Sequence, residues 1–325
     1  MTSFLVEAIA LSTFFLYGCV GEIITEKAGH LNLGIPGIMC VGTAGGCFAV
    51  SIYMSTLSNP ENASWVLLVF LSILFAALFA GALGGIYALL TVSLKCNQNI
   101  TGLAITIFGN GFAQFFMDTC VLNSELDKDN FETAGKIISS GLPFADSLGD
   151  FGEIFLSHGI LVYLAIAIAI LSAFVLKRTR VGLHLRAVGE NPATADAAGI
   201  NVTAYKYGAI LIGSGIAGLG GFFYIMDYIK GSWENASTIE ALGWLSVALV
   251  IFTLWKPLFS ILGSFIFSAL YIIAYSVGGS PTQMELLKLI PYVMTVVVLI
   301  FTSIKGSKNN QAPASLGLSY FREER

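Results

Sequence analysis

Within the apolar run from Ile100 to Met117, polar residues recur every fourth position as Thr106, Asn110 and Gln114, and Asp118 continues the series. On a helix this spacing lines one face. An amide in hydrocarbon is costly unless it has a partner, so that face must meet another helix or water. Asn110 and Gln114 could hydrogen-bond a base or a sugar, with Phe108, Phe112 and Phe115 adding aromatic surface; bonding between helices is the other use of the same groups. Ser260, Ser264 and Ser268 form a second stripe, continued by Tyr271 and Tyr275, although serines in membrane helices often bond to their own backbone. Asn32 and Thr43, in a glycine-rich stretch, are further candidates for a polar path. This is the chemistry of recognition, not of bond breaking. No Ser/His/Asp or GxSxG arrangement occurs. His30, His158 and His184 lie in different loops and make no metal cluster by local spacing, and the five cysteines contain no CxxC pair. No GxxxxGK[ST] phosphate loop is present, so any ATP, with its Mg, is bound by another chain; no cofactor is expected on this one.

A second group of residues suits contact with a partner protein. In KRTRVGLHLRAVGENPATADAAGINVTAYK, Lys177 to Lys206, the run Glu190-Asn191-Pro192 offers a turn and helix start, Ala193 to Ala198 a short strong helix, and Gly199 its stop. The exposed side of such a helix, with Ala193, Ala197 and Ala198, is nearly uncharged. That surface fits a groove on a partner better than open water. An ordinary interhelical loop is the plainer alternative.

The elements that carry these residues follow from composition. The chain has 325 residues, is 56% hydrophobic, only 11% charged, and has a mean hydropathy of +0.80. A soluble domain carries about a quarter charged residues. The expected fold is therefore all-α: a polytopic transmembrane helical bundle forming one membrane domain over residues 1–325. Nine spans are predicted, at about Ser3–Ile24, Leu31–Tyr53, Ser64–Leu94, Ile100–Met117, Ser157–Leu176, Tyr207–Met226, Ala241–Trp255, Pro257–Val277 and Leu287–Ile304. The range is eight to ten, because the glycines and Pro36 in Leu31–Tyr53 admit a broken or re-entrant segment, and Ser64–Leu94 is long enough to bend near Gly81, Gly84 and Gly85. The N-terminus lacks a basic n-region and reads as a retained first span.

With nine spans, twelve of the sixteen Lys and Arg fall on one side and only Lys128, Lys136, Lys230 and Lys288 on the other. Basic residues collect in the cytoplasm, which puts the 177–206 loop and the 305–325 tail there and the acidic Asp118–Glu153 segment outside. Gly213, Ser214, Ala217, Gly218 and Gly221 give the sixth span a small-residue face for close helix packing. Trp65, Trp233, Trp244 and Trp255 lie near span ends and are read as interfacial anchors. A net charge of −4 leaves no footprint for nucleic acid.

Several strings are familiar. LHLRAVGENPATADAAGINV resembles the cytoplasmic coupling loop of ABC importer permeases of the branched group, which includes ribose-type sugar permeases and nucleoside permeases served by basic-membrane-protein lipoproteins. GEIITEKAGHLNLGIPGIM, NQNITGLAITIFGNGFAQF, WENAS, ALVIFTLWKPLFSILGS and LGLSYFREER are similar to the nucleoside branch. One departure is Pro36, where that branch often has an acidic residue; it points to one of two unlike permease subunits.

The resemblance implies a transport subunit rather than an enzyme, in a bacterial plasma membrane with a cytoplasmic C-terminus. It implies as partners a second permease subunit (hetero- or homodimer), cytoplasmic ABC ATPase subunits and an external substrate-binding lipoprotein. Glu190 to Ile200 would dock in the ATPase, with Arg186 and Glu190 flanking the helix formed by Asn191, Pro192, Ala193, Ala197, Ala198 and Gly199. The implied solute is a nucleoside, with a simple sugar such as ribose as the alternative. An ion-coupled secondary transporter is the rival mechanism; it needs ionisable groups inside the spans, and here carboxylates keep to the span edges.

Overall fold

The computed structural model describes residues 2–122, 125–142, 145–276, 281–287, 289–305 and 311–321. Among them all regular structure is helical: α1 (Thr2–Lys27), α2 (Ile35–Ser55), α3 (Trp65–Ala88), α4 (Gln98–Phe116), α5 (Glu125–Ile138), α6 (Gly149–Leu156), α7 (Ile160–Arg178), α8 (Arg180–Glu190), α9 (Pro192–Ala197), α10 (Val202–Phe223), α11 (Ala236–Phe252), α12 (Pro257–Ser276), α13 (Pro281–Leu287) and α14 (Ile290–Lys305), with short 3₁₀ turns between some of them. Each of the nine predicted spans overlaps one of α1, α2, α3, α4, α7, α10, α11, α12 and α14. Six of these, α1, α2, α3, α4, α7 and α10, are long and apolar enough to cross a bilayer by length and composition; α11 and α12 are shorter apolar helices. Val277, the predicted end of the eighth span, and residues 306–310 and 322–325 of the predicted tail lie outside the described residues.

The glycine-rich stretch does not break. After an irregular loop at residues 28–34 it runs as the continuous helix α2, with most of its surface buried. Its glycines serve as contact points: a Cβ on Gly37 would come within 2.5 Å of the Ile105 carbonyl oxygen and Thr106 Cα of α4, and one on Gly42 would collide with Gly218 of α10. Removing the side chain lets two backbones approach, the usual means of packing helices in lipid. The small face of α10 is used in the same way, with Gly213, Ser214, Ala217, Gly218 and Gly221 all buried. Likewise α3 passes Gly81, Gly84 and Gly85 without interruption and ends in a π-turn over Leu89–Ser93.

Helices α1, α2 and α10 form the centre. Helices α3, α4 and α7 keep broad apolar faces exposed, among them Val66, Phe70, Leu74, Leu78, Ile107, Ile170 and Phe174. The segment between α4 and α7 carries the amphipathic α5, which buries Phe131, Ala134 and Ile138.

The candidate docking platform and the transmembrane polar seam

The 28–34 loop is buried at one end of the bundle, so each of its backbone polar groups needs a partner. Side chains from three helices, α1, α3 and α4, supply several of them. The Leu31 N–H donates to Gln98 Oε1 at 2.9 Å, the Asn32 N–H to Glu22 Oε1 at 2.8 Å, the Tyr87 hydroxyl to the Leu31 carbonyl at 2.6 Å and the Thr106 hydroxyl to the Leu33 carbonyl at 2.8 Å. Asn32 is fully buried, and its Oδ1 accepts from the Gly34 N–H at 3.0 Å. It organises this loop together with Glu22. Thr106 does the same from the inner end of the α4 stripe.

The rest of the stripe faces α11. Asn110 Nδ2 donates to Glu240 Oε2. Gln114 Oε1 accepts from the Ala236 N–H at 2.8 Å, its Nε2 donates to Asp118 Oδ2 at 2.6 Å, and Trp233 Nε1 donates to Asp118 Oδ1 at 3.0 Å. The four-residue spacing thus produces an interhelical seam, with Asn110, Gln114 and Glu240 half-buried along it. Phe108, 56% exposed, stacks on Phe112 with ring centroids 6.0 Å apart, on the flank beside the seam. Ser264 bonds the Ile261 carbonyl of its own helix at 3.1 Å and lies on an apolar cavity between α1, α6, α7 and α12. Glu240 was missed from sequence because the seventh span was started at Ala241. A signal was available: it is the one charged residue in α11.

Trp255, read from sequence as an interfacial anchor, is buried instead. Its indole N–H donates to Glu26 Oε2, the stronger use of a polar handle that burial would otherwise strand. Glu22, Glu26, Asp227 and Glu240 each sit within two turns or so of a helix end, and Glu240 meets Asn110 near the middle of α4.

The other assembly is α8 and α9. Three short-range caps shape it: Thr179 Oγ1 accepts from the Gly182 N–H at 3.1 Å, Asn191 Oδ1 from the Thr194 N–H at 2.9 Å and Asn201 Oδ1 from the Ala204 N–H at 3.0 Å. Pro192 occupies the first position of α9. At its end the Gly199 backbone, at φ +83°, lets the Ile200 N–H return to the Ala195 carbonyl at 3.0 Å. Ala195 is buried with Val188 and Val202, against Tyr205, Ile200 and Tyr320. Ala197, Ala198 and Gly199 face outward, and Pro192 and Ala193 are half-buried.

The tail holds this platform down. The Ser315 N–H and hydroxyl both donate to the Gly189 carbonyl, at 3.0 and 2.5 Å, and the Tyr320 hydroxyl donates to Asp196 Oδ2 at 2.9 Å. Glu190 Oε2 accepts from the Ala314 N–H at 3.4 Å, and Arg186 is exposed on the same helix. The Lys95 ammonium lies 4.3 Å from the centre of the Phe321 ring. These contacts gather the ends of α3, α8 and α9 and the 28–34 loop at one end of the bundle.

A bundle of apolar helices, six of them long enough to cross a bilayer, with a capped and tail-bound platform at one end is the architecture of a polytopic membrane protein. The chain belongs to the family described as branched-chain amino acid transport system / permease component, which matches residues 4–299. It is an integral membrane ABC importer permease, a transport subunit and not an enzyme, and membership implies ATPase and binding-protein partners. It is 30% identical to the nucleoside ABC transporter permease protein NupC of Lactococcus lactis, over 96% of this chain and 95% of that one. The putative glucose ABC transporter permease protein TsgC13 of Haloferax volcanii is 30% identical over 97% and 96% of the two chains. The guanosine ABC transporter permease protein NupQ of Bacillus subtilis is 29% identical over 94% and 92%.

Proposed function

We propose that this chain is one of two permease subunits of a nucleoside importer, driven through α9 by a separate ATPase. The observation that carries the coupling part is the construction of α9: capped at both ends, tied to the tail, and presenting a small, uncharged face outward. A partner groove pressing on such a surface moves the whole platform, because little of it can yield locally. Arg186 and Glu190 flank the docked helix; Asn191, Pro192, Ala193, Ala197, Ala198, Gly199 and Ile200 form it. ATP and Mg reside on the ATPase.

The basic residues at the platform end favour a cytoplasmic placement of that end and of the tail, in a bacterial plasma membrane with the Asp118–Glu153 segment outside. Residues 1–325 then form one membrane domain, with the 177–206 loop and the 305–325 tail facing the ATPase. The second permease, identical or unlike, covers the exposed flank of α4. Solute delivered by an external lipoprotein passes along the half-buried seam of Asn110, Gln114 and Glu240 toward the buried Thr106, beside Phe108 and Phe112, with Ser264 and Asn32 as outlying candidates. Hydrogen-bonding side chains next to stacked rings suit a nucleoside, whose base offers both a polar edge and a flat face.

The relatives named for nucleosides and guanosine support that solute; the relative named for glucose supports a sugar as the second reading. Competition of adenosine, guanosine, cytidine and ribose for labelled uptake, in cells with and without the gene, separates them. Gene-dependent guanosine or adenosine uptake is expected. Loss of ribose uptake alone overturns the nucleoside assignment. Accumulation by the purified chain in liposomes on a proton or sodium gradient alone overturns the ATP-driven mechanism and turns attention to the buried Glu22 and Glu26.

A further inference from the structure

Between α9, the start of α10, the end of α3 and the 28–34 loop lies a cavity of about 380 Å³, with Tyr320 of the tail on its wall. Its inner surface is unusual for a membrane protein because two nitrogen-bearing side chains from different elements are buried there. His30 is 1% exposed, and neither ring nitrogen has a hydrogen-bond partner; the Thr91 backbone lies beside the ring without completing a bond of normal geometry. Lys206 is 2% exposed, and its charge acts on His30. Burial and that ammonium push the His30 imidazole down to about 3, so the ring is neutral at physiological pH. Lys95 stands on the same wall, which has one carboxylate, Asp196, already engaged by the Tyr320 hydroxyl.

A buried ammonium and an imidazole with no partner are costly in an apolar surrounding. A multi-oxygen anion relieves both at once, since it accepts from several donors in charge-assisted bonds. The first turn of α10, with Val202 and Thr203 on the cavity wall, adds the positive end of a 22-residue helix. We propose that this cavity binds a phosphate group, held by Lys206 and His30 with Lys95 at its side. The bound group ties the start of α10 to the 28–34 loop beneath α9, and so stiffens the platform from below. The binding itself does not rest on α9 docking to an ATPase. Phosphate chemistry reaches this end of the bundle from two sources, the headgroup of an anionic phospholipid or a soluble phosphate.

The test uses the purified full chain. In neutral detergent, inorganic phosphate is titrated at constant ionic strength against chloride, with thermal unfolding as the readout. In parallel, the chain is loaded into nanodiscs of phosphatidylcholine with or without phosphatidylglycerol, and retained lipid is read by native mass spectrometry. Saturable stabilisation by phosphate supports the site and a soluble source; retention of phosphatidylglycerol supports the site and a headgroup source. In either arm Lys206→Met weakens binding about tenfold or more, the scale of a hydrogen bond to a charged group, and His30→Gln weakens it less. Lys95→Gln is the second variant should Lys206→Met fail to fold; it also lowers affinity. Failure of both arms with the wild-type chain, or binding unchanged in these variants, overturns the proposal.

Discussion

The platform and the seam are both built from polar side chains meeting helix ends or helix faces, yet the caps that shape α8 and α9 close locally, with the tail bonded on from 124–126 residues away, whereas the bonds that join α4 to α11 are all long-range. In the platform, Thr179, Asn191 and Asn201 each bond a backbone N–H three residues ahead. In the seam, Asn110 reaches Glu240 across 130 residues, Gln114 reaches Ala236 across 122 and Asp118 reaches Trp233 across 115. The first kind of contact depends on local chain geometry; the second depends on how α4 and α11 are set against each other. A local element tolerates changes on its outer face, whereas a seam transmits any change to both helices.

The strongest test of the long-range side is Gly37→Leu. Its side chain enters the space held by Ile105 and Thr106 of α4, and overpacking of this kind costs about 3 kcal/mol or more. The expected outcome is little monodisperse protein after extraction; normal recovery and melting would show that α2 and α4 are not set by this contact.

On the local side, Ala197→Arg should leave insertion and melting within about 0.5 kcal/mol of the parent, as exposed changes usually do. Transport should nevertheless fall to background, with substrate-stimulated ATP hydrolysis of the assembled importer lost. Normal stimulated hydrolysis would remove α9 from coupling.

Asn110→Leu leaves Glu240 without its amide donor and should cost about 1–3 kcal/mol. Uptake should weaken while assembly persists. Comparison with Glu240→Gln, which keeps a hydrogen-bonding partner for Asn110, sharpens the result: unchanged uptake in both variants would reduce the seam to packing.

The smallest effect is expected from Asn191→Ala, which removes the α9 cap for about 1 kcal/mol. Hydrogen exchange should quicken in α9 and leave α4 and α11 unaffected. Spread of the change into the seam would contradict the independence of the two regions.

The same division separates what was legible. Apolar length located nine helices, and Asn191, Pro192 and Gly199 marked the ends of α9, because each of these signals lies within a few residues of the structure it shapes. The four-residue spacing of Thr106, Asn110 and Gln114 correctly marked one face of α4 but not its partner. Spacing along a helix carries no information about what is opposite. Trp255 was misplaced for a related reason: a tryptophan near a span end looks alike whether it faces the interface or, as here, a buried carboxylate on α1. The glycines of α2 were ambiguous between breaking a helix and letting it approach another, and the flush contacts with α4 and α10 decide for approach.

Sequence alone thus determined the helical class, the positions of the apolar helices and the local start and stop of α9, since all of these depend on composition or on neighbours within a turn. Tertiary structure alone decided that Glu240 meets Asn110, that Glu26 meets Trp255, that the tail clamps Gly189 and Asp196, and that His30 and Lys206 share one cavity. Those pairings require chain segments far apart in sequence to be packed side by side, and the free energy that packs them is spread over the close glycine contacts and buried apolar surface of the whole bundle.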